Sequence, residues 1–279
     1  KHIRSFLQKQ GMDDIPGALT PACKDFFDPP SDTTPVDPIQ FQSTQGGLGF
    51  YLPIRHDIKL FVNILSKQNH SPTQSDRNKQ IHIMRYLKEY PDVGPVFSAD
   101  PTCYPDGAQL QASSDIGFAT LGNAQCTTGN LFDIGVNNAS FSSYASAEPG
   151  IALSPQEGEY LGLGRCAKQV LFWQQFLEGL GFPQKLPTLI YEDNLPAINL
   201  VQAPEVTRNS RHVFVKHHFI RWLHQQGLIL PVHQGTNDIK ADFVTKVHLP
   251  RHFHYSKDVV FNAGGPLRRV LKAKHLPHL

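Results

Sequence analysis

Cysteine is scarce in this chain, with Cys23, Cys103, Cys126 and Cys166 the only ones among 279 residues, and no CxxC pair occurs. That spacing argues against a cysteine-ligated zinc site and against a disulfide scaffold, and leaves reduced thiols in an intracellular setting as the expectation. Long apolar runs are also missing. No stretch approaches the roughly 18 apolar residues of a membrane span, and no signal-peptide pattern is present. An excess of one charge is lacking too: 26 Lys and Arg against 24 Asp and Glu leave a net +2, which is modest support for a nucleic-acid partner. The first residue is Lys1 rather than Met, which leads us to expect a fragment of a longer product. What remains is a chain with 40% hydrophobic residues, long enough for a sizeable core and two compact units.

The hydrophobic pattern changes character near residue 108. Before it, residues 16–45 are rich in Pro, Asp, Ser and Thr and read as an extended loop or linker. Ile58, Phe61, Val62, Ile64 and Leu65 then give a helical stripe, and a second helix is expected from Pro72, in its first turn, to about Lys88. After it, Leu110–Ala119, Asn130–Val136 and Ala139–Ser146 read as an antiparallel meander with Gly- and Asn-containing turns. A long helix follows from Pro155, with Ser154 as N-cap and Leu163, Ala167, Val170, Leu171, Phe176 and Leu177 at helical spacing. Strand Thr188–Tyr191, helix Leu195–Gln202, helix His212–Gln225, strand Leu228–His233 and a last helix near Asn237–Lys246 complete the pattern.

Acidic residues recur in distinctive local settings: Ser114-Asp115, Glu157-Gly158-Glu159-Tyr160, Tyr191-Glu192-Asp193-Asn194 and Asp238-Ile239-Lys240-Ala241-Asp242. Carboxylates converging from separate elements suit hard divalent cations. Two such ions about 3.5–4 Å apart can clamp the attacking and leaving oxygens of a phosphodiester displacement. Acidic residues alone are weak evidence, so the surrounding motifs carry the signal.

Those motifs are Ser114-Asp115-Ile116-Gly117-Phe118-Ala119, Cys126-Thr127-Thr128-Gly129, Phe141-Ser142-Ser143 and Ala152-Leu153-Ser154-Pro155-Gln156-Glu157-Gly158-Glu159-Tyr160. After them come Leu177-Glu178-Gly179-Leu180-Gly181, Glu192-Asp193-Asn194-Leu195-Pro196-Ala197-Ile198, His218-Phe219-Ile220-Arg221 and Ala241-Asp242-Phe243-Val244-Thr245-Lys246. In this order they resemble the ribonuclease H domain of copia-type LTR retrotransposon polyproteins. Upstream, Gly11-Met12-Asp13-Asp14, Arg55-His56-Asp57-Ile58 and His70-Ser71-Pro72-Thr73 resemble the segment that follows the polymerase in those polyproteins. The paired aspartates of the polymerase hairpin are absent, so no DNA synthesis is expected of this piece.

The resemblance implies an α/β chain with a ribonuclease H-like fold, a mixed five-stranded sheet with flanking helices, preceded by a small helical connection region. It implies residues 1–100 as a remnant of the reverse-transcriptase thumb and connection, 101–250 as the nuclease domain and 251–279 as a C-terminal tail. It further implies Asp115, Glu159, Asp193 and Asp242 as catalytic metal ligands for two Mg²⁺ ions, with Mn²⁺ as a substitute. The substrate would be an RNA–DNA hybrid, with the polymerase portion of the polyprotein as a partner, in cytoplasmic virus-like particles or the nucleus. Asn194, Arg211 and His212 are candidates for contacting nucleic acid, with Ser114 and Gln156 nearby.

Each residue also has an ordinary reading. Asp115 after two serines suits a turn or cap, Asp193 can N-cap the next helix, and a mid-helix Asp242 is usually solvated. Glu157 competes with Glu159, which directly precedes Tyr160 as the family's carboxylate does, so Glu157 reads as exposed. Arg211 and His212 can simply cap a helix start, and the basic Leu267–Lys274 reads as a solvated terminus. Zinc on His212, His217, His218, His224 and His233 is set aside, because adjacent His217 and His218 cannot both face one ion from a regular helix. Gly117, Phe118 and a lengthened 144–150 loop depart from the family pattern. A rival reading is therefore a degenerate or domesticated fragment that keeps the fold and nucleic-acid binding without cleavage.

Overall fold

Three consecutive strand segments form the centre of the fold, and the first two are buried along nearly their whole length. The structure, a computed structural model, describes residues 2–118, 125–148, 152, 154–203 and 214–263. Strands β1 (Leu110–Gly117), β2 (Thr127–Ile134) and β3 (Ser140–Ala147) pair antiparallel. Gly135 and Asn137, both left-handed, turn the chain between β2 and β3. Strands β4 (Thr188–Glu192) and β5 (Ile229–His233) add in parallel on the other side of β1, giving the order β3-β2-β1-β4-β5. This is an α/β fold with a mixed five-stranded sheet, in the ribonuclease H arrangement.

Period-two alternation sends the two sides of the strands into two cores. Leu110, Ala112, Phe132 and Ile190 pack beneath α5 (Pro155–Gly179), against its Leu163, Cys166, Ala167 and Val170. Helices α6 (Leu195–Gln202) and α7 (Phe214–Gln225) complete that layer with Ala197, Val201, Ile220 and Leu223. Each such buried aliphatic side chain contributes roughly 1.5–3 kcal/mol relative to exposure. Leu131 and Ala145 face the opposite way, into a core shared with the helical N-terminal region.

That region contains four helices: α1 (His2–Lys9), α2 (Pro38–Gly49), α3 (His56–Ser66) and α4 (Gln74–Glu89). Helix α2 begins inside the stretch read as a linker. Asp37 caps it by accepting from the Ile39 N–H, and Pro38 occupies its first turn. Thr73 and Asp76 form a capping box on α4, so Pro72 lies just ahead of the cap rather than in the first turn. Phe41, Ile58, Phe61, Ile83 and Met84 from these helices share one buried cluster with Phe243, Phe253 and Phe261. The core is thus continuous across residue 100.

Helix α3 lies along β3, an edge of the sheet. His56 Nε2 meets the Ser140 carbonyl at 3.0 Å, Lys59 donates to the Ser143 carbonyl, and Asn63 Nδ2 donates to the Ala145 carbonyl at 2.7 Å. At the base of α3, Arg55 and Asp57 form a fully buried ion pair of 2.7 Å, and Tyr86 donates to the same carboxylate at 2.6 Å.

Two differences from expectation occur at the C-terminal end. The last helix expected near Asn237–Lys246 is a short 3-10 turn, Lys240–Val244. The stretch assigned to a tail contains α8 (Pro250–Phe261), whose Phe253, Val260 and Phe261 are buried. Asn262, left-handed, ends it. Among the described residues no helix is long and apolar enough to cross a membrane.

Candidate functional site

The site forms where β1, β4, α5 and the 3-10 turn meet. Ser113 and Asp115 alternate on the strand face covered by that turn. Ala241 N–H donates to Ser113 Oγ at 3.2 Å, and Thr245 Oγ1 donates to Asp115 Oδ2. Gly129, directly across from Asp115 in the β1–β2 ladder, makes this approach possible. A Cβ there would lie 2.5 Å from Thr245 Cγ2 and 2.7 Å from Val244 Cγ2. Asp115 is consequently buried, with 1% of its surface exposed.

Glu159 reaches the same point from the second turn of α5, which Ser154 caps by accepting from the Glu157 N–H at 3.2 Å. Gly162, one turn further on, lets the helix sit close to β1, since a Cβ there would meet Ile116 Cγ1 at 2.8 Å. Glu157 is half-buried on the first turn rather than exposed, and Glu159 is buried. Asp193 follows β4. The cap of α6 falls to Asn194, whose Oδ1 accepts from the Ala197 N–H at 3.0 Å, and Asp193 is left to face the cluster. One carboxylate oxygen from each of Asp115, Glu159 and Asp193 lies within 4.8 Å of the others.

Three acids in so small a volume disfavour their own ionisation. Burial, followed by the charges of Asp115 and Asp193, pushes Glu159 up to about 9. Burial pushes Asp115 up to about 6, with Lys246 pulling it down and Asp242 adding to the rise. Glu192, the last residue of β4, is fully buried and raised by burial and then by Glu159. Its Oε1 accepts from the Asn194 N–H at 3.2 Å, whereas its Oε2, like Glu159 Oε2, has no hydrogen-bond partner among the described residues. Sequence reasoning quoted Glu192 but passed over it. The signal available was period two, which puts it on the same side as buried Thr188 and Ile190.

Asp242 stands one step away. Lys246 ion-pairs with it and lies 3.6 Å from Asp115 Oδ2, so an ammonium bridges the two carboxylates. Burial opposes that charge, but Asp115 and Asp242 outweigh it and raise the Lys246 pKa. His248 also approaches Asp242, 3.6 Å from its Oδ2, and burial holds this histidine below the usual range. Ser114 is buried on the α5 side of β1, and Gln156 is exposed and bonded to the Pro196 carbonyl. Arg211 and His212 lie outside the described residues, as does the basic stretch 267–274.

The fold and this convergence of acids define a ribonuclease H-like protein. Solved structures similar to it include LC11-RNase H1, isolated from compost by a metagenomic approach, at 13% identity and TM-score 0.39 over 50% of this chain and 93% of that one. RNase H1 from the halophilic archaeon Halobacterium salinarum gives 12% identity and TM-score 0.35 over 49% and 94%. No family model matches the chain. In sequence, the chain is related to the Pol polyproteins of copia-type plant retrotransposons. It is 30% identical over 217 residues to the retrovirus-related Pol polyproteins from transposons RE2 and RE1 of Arabidopsis thaliana. It is 26% identical over 225 residues to that from transposon TNT 1-94 of Nicotiana tabacum. These matches take in 77–80% of this chain, which spans 14–16% of the relatives' length.

Proposed function

We propose that the chain is a metal-dependent ribonuclease H that hydrolyses the RNA strand of an RNA–DNA hybrid during reverse transcription. The observation that carries this reading is the meeting of Asp115, Glu159 and Asp193 oxygens within 4.8 Å, with Glu159 Oε2 buried and without a hydrogen-bond partner among the described residues. Mutually repelling, desolvated carboxylates offering only hard oxygen donors fit Mg²⁺ or Mn²⁺. Asp115, Glu159 and Asp193 would hold the metal, and Asp242 would join on release from Lys246 to complete a two-ion site. The metal, when bound, lowers the pKa of a coordinated water and offsets charge on the phosphate.

The chain's own residues do the rest. Thr245 fixes the Asp115 carboxylate through its hydroxyl, and Asn194 fixes Asp193 by capping the helix that follows it. Lys246, partly exposed at the site's rim, is placed to meet a phosphate oxygen. Water adds to phosphorus, the bond to the 3′ oxygen breaks, and the products carry a 5′-phosphate and a 3′-hydroxyl. Asn194, Arg211 and His212 are proposed to contact the hybrid. Residues 1–100 are proposed as the connection toward the polymerase portion of a longer polyprotein, acting in virus-like particles or the nucleus.

One observation favours the rival reading of a fold kept without cleavage: the Lys246 ammonium already neutralises Asp242 and approaches Asp115. Cleavage of a labelled RNA strand in a hybrid with Mg²⁺ or Mn²⁺ separates the two. Activity that needs metal and disappears in Asp193→Asn supports the nuclease. Folded wild-type protein that never cuts supports the rival.

A further inference from the structure

His248 and His252 stand outside the histidines considered for zinc and play no part in the proposed cleavage chemistry. After the 3-10 turn ends at Val244 the chain passes back over Asp242, and Pro250 then starts α8. This brings His248, just ahead of the helix, and His252, in its first turn, to the same side. Their rings are 4.8 Å apart between centroids. Their Nε2 atoms lie 3.6 and 4.0 Å from Asp242 Oδ2, and one donor atom from each of the three residues falls within 4.8 Å of the others.

We propose that Asp242, His248 and His252 form a site for a borderline divalent transition-metal ion, Zn²⁺ in the first instance. Two ligands at about 2.0–2.1 Å from a tetrahedral zinc sit about 3.3 Å from each other, so His248 needs a contraction of about 0.3 Å toward Asp242 and the half-exposed His252 one of about 0.7 Å. Two imidazoles and one carboxylate select zinc-like ions over Mg²⁺, which prefers an all-oxygen shell. Asp242 and His248 are largely buried, whereas the His252 side chain is 47% exposed, so a fourth position opens to water. His248 Nε2 also lies 2.9 Å from the Asp242 carbonyl. That contact involves the same nitrogen that faces the Asp242 carboxylate, so the ring exchanges it for the ion when Nε2 ligates. The ion would compete with Lys246 for Asp242, which ties this site to the neighbouring acid cluster.

The inference rests on the geometry of these residues and stands whether or not the protein cleaves RNA. The test titrates metal-free full-length protein with Zn²⁺ against a chromogenic chelator, beside His252→Ala and, as a control, exposed His233→Ala. Co²⁺ serves as a second probe, read by its visible absorption. Wild type and His233→Ala are expected to bind one more equivalent than His252→Ala, or to bind it at least about tenfold more tightly, since losing even an outer-sphere partner weakens metal affinity 10–100-fold. Cobalt should give the intense bands of a tetrahedral site in wild type, and His252→Ala should lose them. His252 is half-exposed, so its replacement leaves the fold intact, and circular dichroism verifies this. Equal zinc stoichiometry and affinity in wild type and His252→Ala, or weak octahedral cobalt bands in both, would overturn the proposal.

Discussion

Replacing Glu159 by Gln should make the metal-free protein more stable at neutral pH, although it removes a proposed metal ligand. In the folded chain, burial and the Asp115 and Asp193 charges raise this carboxyl from 4.5 to about 9. Between those values the folded state keeps a proton that the unfolded state has lost. The unfolded state therefore binds fewer protons, and stability falls as pH rises from about 4.5, levelling above about 9. At pH 7 the loss spans 2.5 pH units, or about 3 kcal/mol at 1.36 kcal/mol per unit. Gln removes this term. Its amide meets the same unpartnered surroundings as the protonated acid, so no new desolvation penalty offsets the gain. Urea denaturation in EDTA, from pH 4 to pH 9, measures it. The two proteins should match near pH 4 and diverge by about 3 kcal/mol at pH 7, with the variant ahead. Added Mg²⁺ should then stabilise the wild type and leave the variant nearly unmoved. A variant no more stable than wild type at pH 7 and above, with the same pH slope, would refute the argument that these carboxylates are mutually strained.

His56 works in the opposite direction. Burial, aided by the Lys59 charge, lowers it from 6.5 to about 4, so its contribution is complete above pH 6.5 and lost as pH falls through about 4. His56→Gln should flatten the acid limb of the stability curve, followed by circular dichroism between pH 4 and 7. Gly129→Ala would press a methyl group into Thr245 and Val244, and should destabilise the chain by about 1–3 kcal/mol while weakening Mg²⁺ binding in a thermal-shift titration. Lys246→Ala removes the ammonium between Asp115 and Asp242, and should tighten Mg²⁺ binding in calorimetry while slowing cleavage.

Most of the sheet was readable because its determinants are local. Gly135 and Asn137 mark the turn between β2 and β3, and Ser154 announces α5. Asp115, Glu159 and Asp193 were chosen on motif, and the structure brings those three together. What escaped depends on tertiary contact. The Asp242–Lys246 pair is a spacing of four that reads as helix solvation until the turn is laid over Gly129. Helix α2 was hidden by Gly46, Gly47 and Gly49, poor helix formers whose segment is held by packing of Phe41 and Leu48. Helix α8 did leave a trace, since Phe253, Val260 and Phe261 fall at i, i+7 and i+8. Its polar remainder and the preceding Pro250 obscured it.

The row of donors from α3 to the carbonyls of β3 bears on how this piece of chain can be handled or can evolve. An unguarded border strand is a template for pairing with foreign chains. Here His56, Lys59 and Asn63 occupy that border in place of another strand. Cutting the chain between α4 and β1 would leave the sheet with a sticky margin and a stripped apolar face at Leu131 and Ala145. The helices before residue 100 therefore shield the sheet's edge and apolar face, and a shorter piece that keeps the sheet should be sought by trimming elsewhere.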